Sequence, residues 1–229
     1  MHVGVIGGTG PAGRSLAARL ASTGVEVTIG SRAPERAAEV AGGLRERWAG
    51  SHDLSGLGAG SNQAAAGADL VVVATPWDSA PGTAAALADR LAGKVVVSMA
   101  NALTKVGSEL QALVPPRGSV AAAVQAAAPG ALVAGALHHV PARELGDLDH
   151  RVESDVLCCS DHPAATSAVM DLLAGVPGLR PLDAGSLSNA SAIEAFTAVV
   201  LNLNMRYRTR AGVRLTGVEP APRAPVPGS

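Results

Sequence analysis

The stretch His2-Val3-Gly4-Val5-Ile6-Gly7-Gly8-Thr9-Gly10-Pro11-Ala12-Gly13 decides the fold. A short apolar run ends in glycines, and a helical pattern, Ser15-Leu16-Ala17-Ala18-Arg19-Leu20, follows. That order reads as strand, tight turn, helix. Gly8, Gly10 and Gly13 fit G-x-G-x-x-G, the dinucleotide fingerprint. One glycine permits the turn, one lets the backbone approach a pyrophosphate, and one lets helix and strand pack closely. The N–H groups at the helix start then point at the phosphate, and the helix dipole favours its charge. Pro11 suits the first helical position, where its missing N–H has no partner anyway. Alone, the motif is also met in ordinary Gly-rich turns. Here it follows a strand and opens a helix, which is the context it requires.

The next strand is Val25-Glu26-Val27-Thr28-Ile29, ending at Gly30-Ser31-Arg32, with a helix from Pro34 towards Trp48. An NAD enzyme has Asp or Glu at this strand end, on the ribose 2′-hydroxyl; an NADP enzyme accommodates a 2′-phosphate with Arg nearby. This chain has Ser31 and Arg32 there, and Arg36 one helical turn on, which points to phosphate recognition rather than to a solvated arginine alone. Residues 49–61 are Gly- and Ser-rich and read as a loop, with a short helix over 62–66. Leu70–Ala74 is apolar throughout, the mark of a strand covered on both faces, and it ends at Thr75-Pro76-Trp77-Asp78. A helix over 79–91 leads to the buried strand Val95–Ser98, then Met99-Ala100-Asn101. The proline-bearing stretch 104–117 reads as irregular. Ser119 is placed to cap a helix over 120–127, and Leu132–Leu137 is a further strand ending at His138-His139-Val140-Pro141-Ala142.

Strands alternating with helices, with apolar strands, mean a parallel, doubly wound α/β sheet of the Rossmann kind. Ligands of such sheets sit beyond the carboxyl ends of the strands. Gly7–Gly13, Gly30–Arg32, Thr75–Asp78 and Asn101 therefore converge on one crevice, and His138–Ala142 is expected to join them. This unit spans residues 1–154. Residues 155–217 read as a smaller C-terminal α+β/helical domain. It has a strand over 155–160, a helix over 163–174 capped by Asp161, and a short extended run over 179–184. Then Ser191-Ala192-Ile193-Glu194 matches a capping box before a long helix over 193–207. Residues 218–229 are Pro-rich and are expected to be disordered.

Composition sets the remaining bounds. The chain has 229 residues, 48% of them hydrophobic, but only two Trp, one Tyr and one Phe, so Ala, Val and Leu must build the core. A net charge of −1 with no basic stripe argues against nucleic acid as partner. No metal-ligand cluster stands out. No signal peptide precedes the first strand, and no apolar run reaches membrane-spanning length. Cys158 and Cys159 are adjacent and point to opposite faces of a strand, which disfavours a structural disulfide. A reducing cytoplasm fits this chemistry.

Several segments together carry a resemblance: Gly7-Gly8-Thr9-Gly10, Gly30-Ser31-Arg32, Pro76-Trp77, Leu137–Ala142, Leu182–Asn189, Asn204–Tyr207 and Ala211–Arg214. Across residues 1–216 the chain resembles the NADPH-dependent reductases of coenzyme F420, the 8-hydroxy-5-deazaflavin coenzyme. The resemblance implies a doubly wound domain plus a small C-terminal domain, a homodimer, and hydride exchange between NADP(H) and the deazaflavin. It implies that Thr9, Gly10, Pro11 and Ala12 hold the pyrophosphate, and that Ser31, Arg32 and Arg36 hold the 2′-phosphate, with Arg36 where some members carry Lys. It also implies that Thr75, Pro76, Trp77 and Ala142 line the nicotinamide half, and that Asn101, His138, Val140 and Pro141 line the deazaflavin pocket. His138 is the candidate for stabilising charge that develops on the deazaflavin carbonyl edge; the alternative is that it only shapes the strand end. Met99-Ala100 departs from the small or Pro-containing sequences of the family. Lys105 and Arg143 adjoin the pocket segments and bring positive charge.

Competing functions make different demands. A short-chain-type reductase needs Tyr-x-x-x-Lys, whereas the lone Tyr207 is followed by Ala211. A ferric or imine reductase, or an NADP(H)-sensing regulatory module, shares the nucleotide domain; a deazaflavin titration separates them from an F420 reductase.

Overall fold

The computed structural model describes residues 1–218. In chain order its elements are β1 (His2–Ile6), α1 (Pro11–Ala21), β2 (Glu26–Ser31), α2 (Pro34–Trp48), β3 (Leu57–Ser61), α3 (Asn62–Ala65) and β4 (Leu70–Val73). Then come α4 (Ala80–Ala86), α5 (Ala88–Leu91), β5 (Val95–Ser98), β6 (Leu103–Val106), β7 (Glu109–Ala112), α6 (Val120–Ala127), β8 (Leu132–Gly135) and α7 (Ala142–Leu145). The remainder is β9 (Ser154–Ser160), α8 (Pro163–Ala174), β10 (Leu179–Asp183), a 3-10 turn (Leu187–Asn189) and α9 (Ala190–Tyr207).

Eight strands form one sheet in the order β10-β9-β8-β5-β4-β1-β2-β3. Every neighbouring pair runs parallel except β8 and β9, which are antiparallel. The apolar strands are apolar because both faces are covered. Val3, Val5 and Val72 pack with Leu16 and Leu20 of α1, Ala37 of α2 and Val169 of α8. Ile6, Val71, Val73 and Val96 face the other way, against Ala65, Ala84, Val124 of α6 and Ile193 of α9. Cys158 and Cys159 follow the same alternation, one in each cluster, and both are free. With so few aromatics, fit comes from close approach. At Gly4 a Cβ would stand 1.8 Å from the Ala65 carbonyl oxygen, so α3 lies directly on β1.

Three local expectations are corrected. The Gly-rich stretch 49–61 is not all loop, because β3 pairs with β2 over Leu57–Ser61. Its glycines hide the strand from any hydrophobic pattern; a Cβ at Gly60 would press on Ala64 at 3.1 Å. Residues 104–117 are not irregular throughout, since β6 and β7 form a hairpin whose loop contains Gly107 at φ +60°. Asn202 of α9 holds it by bonding both the N–H and the carbonyl of Leu110, each at 2.8 Å. The helix over 79–91 is broken at Leu87 (φ −118°, ψ 9°), whose side chain is buried in the core.

The caps divide. Ser119 caps α6 as expected, accepting from the Ala122 N–H at 3.0 Å. The capping box at Ser191–Glu194 does not form: α9 begins at Ala190 after an Asn189 that makes no side-chain cap. Glu194 instead reaches α6, accepting from the N–H groups of Val120 (2.8 Å) and Ala121 (3.0 Å). Asp161 does not cap α8 either; it accepts from the Leu187 N–H, and His162 occupies the cap position.

Residues 155–217, read from the sequence as a smaller unit, contribute β9 and β10 to the main sheet, while α9 packs on α6 and β7. Asp155 clasps the following segment. Its carboxylate takes both Arg180 (2.6 and 2.7 Å) and Arg214 (3.0 Å), and accepts from the Leu215 N–H. That holds its pKa down at about 2, chiefly through Arg180. The expected tail disorder falls, beyond Val218, outside the described residues.

Candidate functional site

The carboxyl ends of β1, β2, β4, β5 and β8 lie side by side. At the first, Gly7 takes φ +70°, and a Cβ there would meet Thr75 Cγ2 at 2.6 Å. The Gly8 N–H donates to Val5 (3.1 Å) and Gly30 (2.9 Å), so the turn is locked to β1 and β2. At Gly13 a Cβ would lie 2.8 Å from Gly8 Cα, so this glycine lets α1 sit on the turn. Gly10 differs. A Cβ there would meet only the Gly7 carbonyl oxygen, at 3.6 Å, and no side chain caps α1. The protein itself does not require glycine at position 10, and the first N–H groups of α1 lack intrahelical partners. An anionic pyrophosphate fits that geometry and that charge. Asn62 supports the turn by accepting the Gly7 N–H at 3.2 Å, a contact the sequence did not reveal. Its available signal was the cap at Ser61, which starts α3 beside the turn.

At the end of β2, Ser31 is buried and its hydroxyl accepts from the Ala33 N–H at 3.2 Å. Arg32 is exposed and has no carboxylate partner among the described residues. Arg36 is exposed on the first turn of α2 and pairs with Glu39 at 2.6 Å. At the end of β4, the Thr75 backbone lies against Gly7, Pro76 is exposed, and half-buried Trp77 packs on the second core cluster. The Thr75 hydroxyl is buried and has no hydrogen-bond partner among the described residues.

Asn101 lies just beyond the end of β5 with its side chain committed. Nδ2 donates to the His138 carbonyl at 2.9 Å, and Oδ1 accepts from Thr197 of α9 at 3.3 Å. After β8 the chain turns at Leu137, which is held at φ +66°. A leucine in the left-handed region is strained, and such strain clusters at sites. His138 is only 3% exposed, its ring close to Gly135 and to the backbone of Met99 and Ala100. Burial, with His139 beside it, pushes its pKa down to about 3, so the ring is neutral. His139 turns the other way, to the Asp155 carbonyl at 2.8 Å and the edge of Phe196. Val140 is buried; Pro141 and Ala142 are half-buried, with Pro141 capping α7 and Ala142 its first residue. The structure thus brings the expected segments to one sheet edge, but the side chains of His138, Val140 and Asn101 serve the frame of the crevice.

Strand order 3-2-1-4-5 within the sheet, a glycine turn at β1 and an open α1 terminus define a protein of the dinucleotide-binding Rossmann class. The family described as NADP oxidoreductase coenzyme F420-dependent matches residues 2–102. The F420-dependent NADP reductase of Methanocaldococcus jannaschii is 36% identical over 225 residues, covering 96% of this chain and 100% of that one. That of Methanothermobacter thermautotrophicus is 37% identical over 223 residues, covering 95% and 96%. A crystal structure from Arthrobacter sp. FB24 superposes with a TM-score of 0.75 at 28% identity, over 91% of this chain and 95% of that one. This chain belongs to the F420-dependent NADP reductase family.

Proposed function

We propose that the protein transfers a hydride between NADP(H) and the deazaflavin coenzyme F420. The observation that carries this is the match along 96% of the chain and the whole of the M. jannaschii relative, which is named for that activity. When bound, NADPH supplies a hydride from nicotinamide C4, which the deazaflavin accepts at C5. The protein's part is to bind, orient and keep water out.

Thr9, Gly10, Pro11 and Ala12 receive the pyrophosphate with the α1 terminus. Ser31 and Arg32 receive the 2′-phosphate; Arg36 joins them by leaving Glu39 or by bridging to it. Thr75, Pro76, Trp77 and Ala142 bound the nicotinamide half. Pro141 borders the acceptor, with Val140 beneath it. His138 acts through its carbonyl, which holds Asn101, and through the bulk of a neutral ring; a ring of pKa about 3 offers no imidazolium at neutral pH. The rate advantage comes from holding donor and acceptor at near-attack distance, about 3–3.5 Å.

The protein works as a homodimer, paired through α9, where Phe196, Val199 and Leu203 form an exposed apolar stripe at helical spacing. It works in the cytoplasm, where two free thiols and a reduced nicotinamide pool are stable. No helix among the described residues is long and apolar enough to cross a membrane.

The test is loss of the deazaflavin's visible absorbance on adding NADPH, without metal or flavin. Deuterium from the transferred C4 position should appear at C5 of the product. Label found in water, or equal reduction of FMN, refutes the proposal. Sedimentation of the wild type and Val199→Glu tests the dimer; two monomeric samples refute it.

A further inference from the structure

Arg19 lies in the last turn of α1, 3% exposed, as a single charge inside the apolar run Leu16–Ala21. Among the described residues its guanidinium meets no carboxylate directly. Nε donates to the Leu145 carbonyl at 3.0 Å, Nη2 to the carbonyls of Glu144 (3.1 Å) and Asp147, and Nη1 weakly to Leu148 at 3.5 Å. The side chains of Glu144 and Asp147 turn outward, to Arg210 (3.0 Å) and His150 (3.1 Å). A buried arginine thus collects four carbonyls, those of residues 144, 145, 147 and 148, at the end of α7 and its following turn. The planar guanidinium fork suits several acceptors held at fixed angles.

α7 needs such an anchor. A helix of four residues, Ala142–Leu145, is a single turn closed by the N–H groups of Leu145 to Pro141 (3.1 Å) and Gly146 to Ala142 (3.0 Å), too short to hold its own place. Its contact with α1 is also close: a Cβ at Gly146 would stand 2.6 Å from Ser15 Oγ. The opposite end of α1 opens at the Gly8–Gly13 turn, and α7 opens at Pro141–Ala142. One helix therefore carries the nucleotide turn at its start and the clamp on the acceptor-side segment near its end.

We infer that Arg19 is a positioning residue for hydride transfer: by gripping the main chain of 144–148 it sets the distance between the nucleotide turn and the Pro141–Ala142 edge. The role rests on the hydride transfer proposed above. The Arg19 guanidinium is committed to main-chain carbonyls, so its removal should alter the geometry of the reacting pair more than the hold on NADPH.

The experiment compares wild type, Arg19→Met and Arg19→Lys, each full length and well below its melting temperature. Arg19→Met keeps the stem and leaves the carbonyls unpaired. It should bind NADPH within about threefold of wild type yet lose about 10- to 100-fold in kcat towards coenzyme F420, the scale of a misplacement near 1 Å. Amide exchange should quicken over residues 142–148 and stay unchanged over 8–12. Arg19→Lys should recover a large part of the lost kcat. A folded Arg19→Met with kcat within threefold of wild type overturns the inference. So does a parallel fall in kcat and NADPH affinity that tracks the folded fraction. If wild type itself does not reduce coenzyme F420, the hydride-transfer proposal fails instead. The anchoring is then judged on amide exchange, and equal exchange over 142–148 in wild type and Arg19→Met overturns it.

Discussion

Gly10→Ala separates what the fold needs from what the nucleotide needs. Gly10 sits at φ −71°, ψ 163°, a conformation alanine adopts freely. The new Cβ meets only the Gly7 carbonyl oxygen, at 3.6 Å, an ordinary contact. Replacing Gly by Ala restricts the unfolded chain and stabilises by about 0.4–1 kcal/mol. Alanine is a poorer N-cap than glycine by a similar amount. The two offset, so stability should change by less than about 0.5 kcal/mol and the melting temperature by less than about 2 °C. The methyl group would project into the space that the proposed function gives to a pyrophosphate at the α1 terminus. Affinity for NADPH should fall at least tenfold, about 1.4 kcal/mol. Thermal melts with and without NADPH read both effects. At a concentration giving wild type about 2.7 kcal/mol of ligand stabilisation, Gly10→Ala should gain about 1.4 kcal/mol or less. Gly13→Ala is the contrast. Its Cβ would lie 2.8 Å from Gly8 Cα and 3.0 Å from Ala74 Cβ, so it overpacks the α1–β1 junction. It should cost about 1–3 kcal/mol before any ligand is added. An NADPH shift in Gly10→Ala equal to that of wild type would refute the placement of the pyrophosphate.

Arg32→Ala should lose about 10- to 100-fold in NADPH affinity, roughly 1.5–3 kcal/mol, with NADH affinity nearly unchanged; equal losses would remove Arg32 from the 2′-phosphate site. Glu194 is 4% exposed, and burial pushes it up to about 7 against the pull of its two N–H donors. Its folded pKa exceeds the unfolded value of 4.5, so the native state holds the proton more tightly, and stability is lost as pH rises from about 4.5 to about 7, on the order of 3 kcal/mol in all. Glu194→Gln should abolish that slope in the difference between the two unfolding curves; an unchanged slope sinks the assignment. His138 acts in the opposite sense, because its folded pKa near 3 lies below the unfolded 6.5, so its stabilising contribution is lost as pH falls through that window. The kcat profile should therefore show no His138 step between about pH 5 and 8, and a step there that vanishes in His138→Gln would contradict a neutral ring.

Local chemistry was legible in the chain. The glycine turn, Pro11 at the helix start, Ser119 as a cap, and the apolar runs of β4 and β5 each depend on a few neighbouring residues or on burial of both faces, so pattern alone reports them. The order in which the segments meet at one sheet edge followed from the alternation of strands and helices. Non-local pairing was not legible. β3 is a strand because β2 offers it backbone partners, and β6–β7 is a hairpin that Asn202 holds from nearly a hundred residues away. Glu194 sits where a capping box is spelled, yet its carboxylate caps α6, 74 residues upstream, because burial brings that helix terminus closer than its own. Tertiary structure also decided which site residues face the crevice and which frame it. Asn101 carries an amide suited to a ligand, but a backbone carbonyl and Thr197 already hold that amide. Arg19 brings a charge into an apolar helix, and only the fold supplies the carbonyls of residues 144, 145, 147 and 148 that solvate it. Sequence determines which hydrogen-bonding groups a residue brings; only the packed chain determines which partners reach them first.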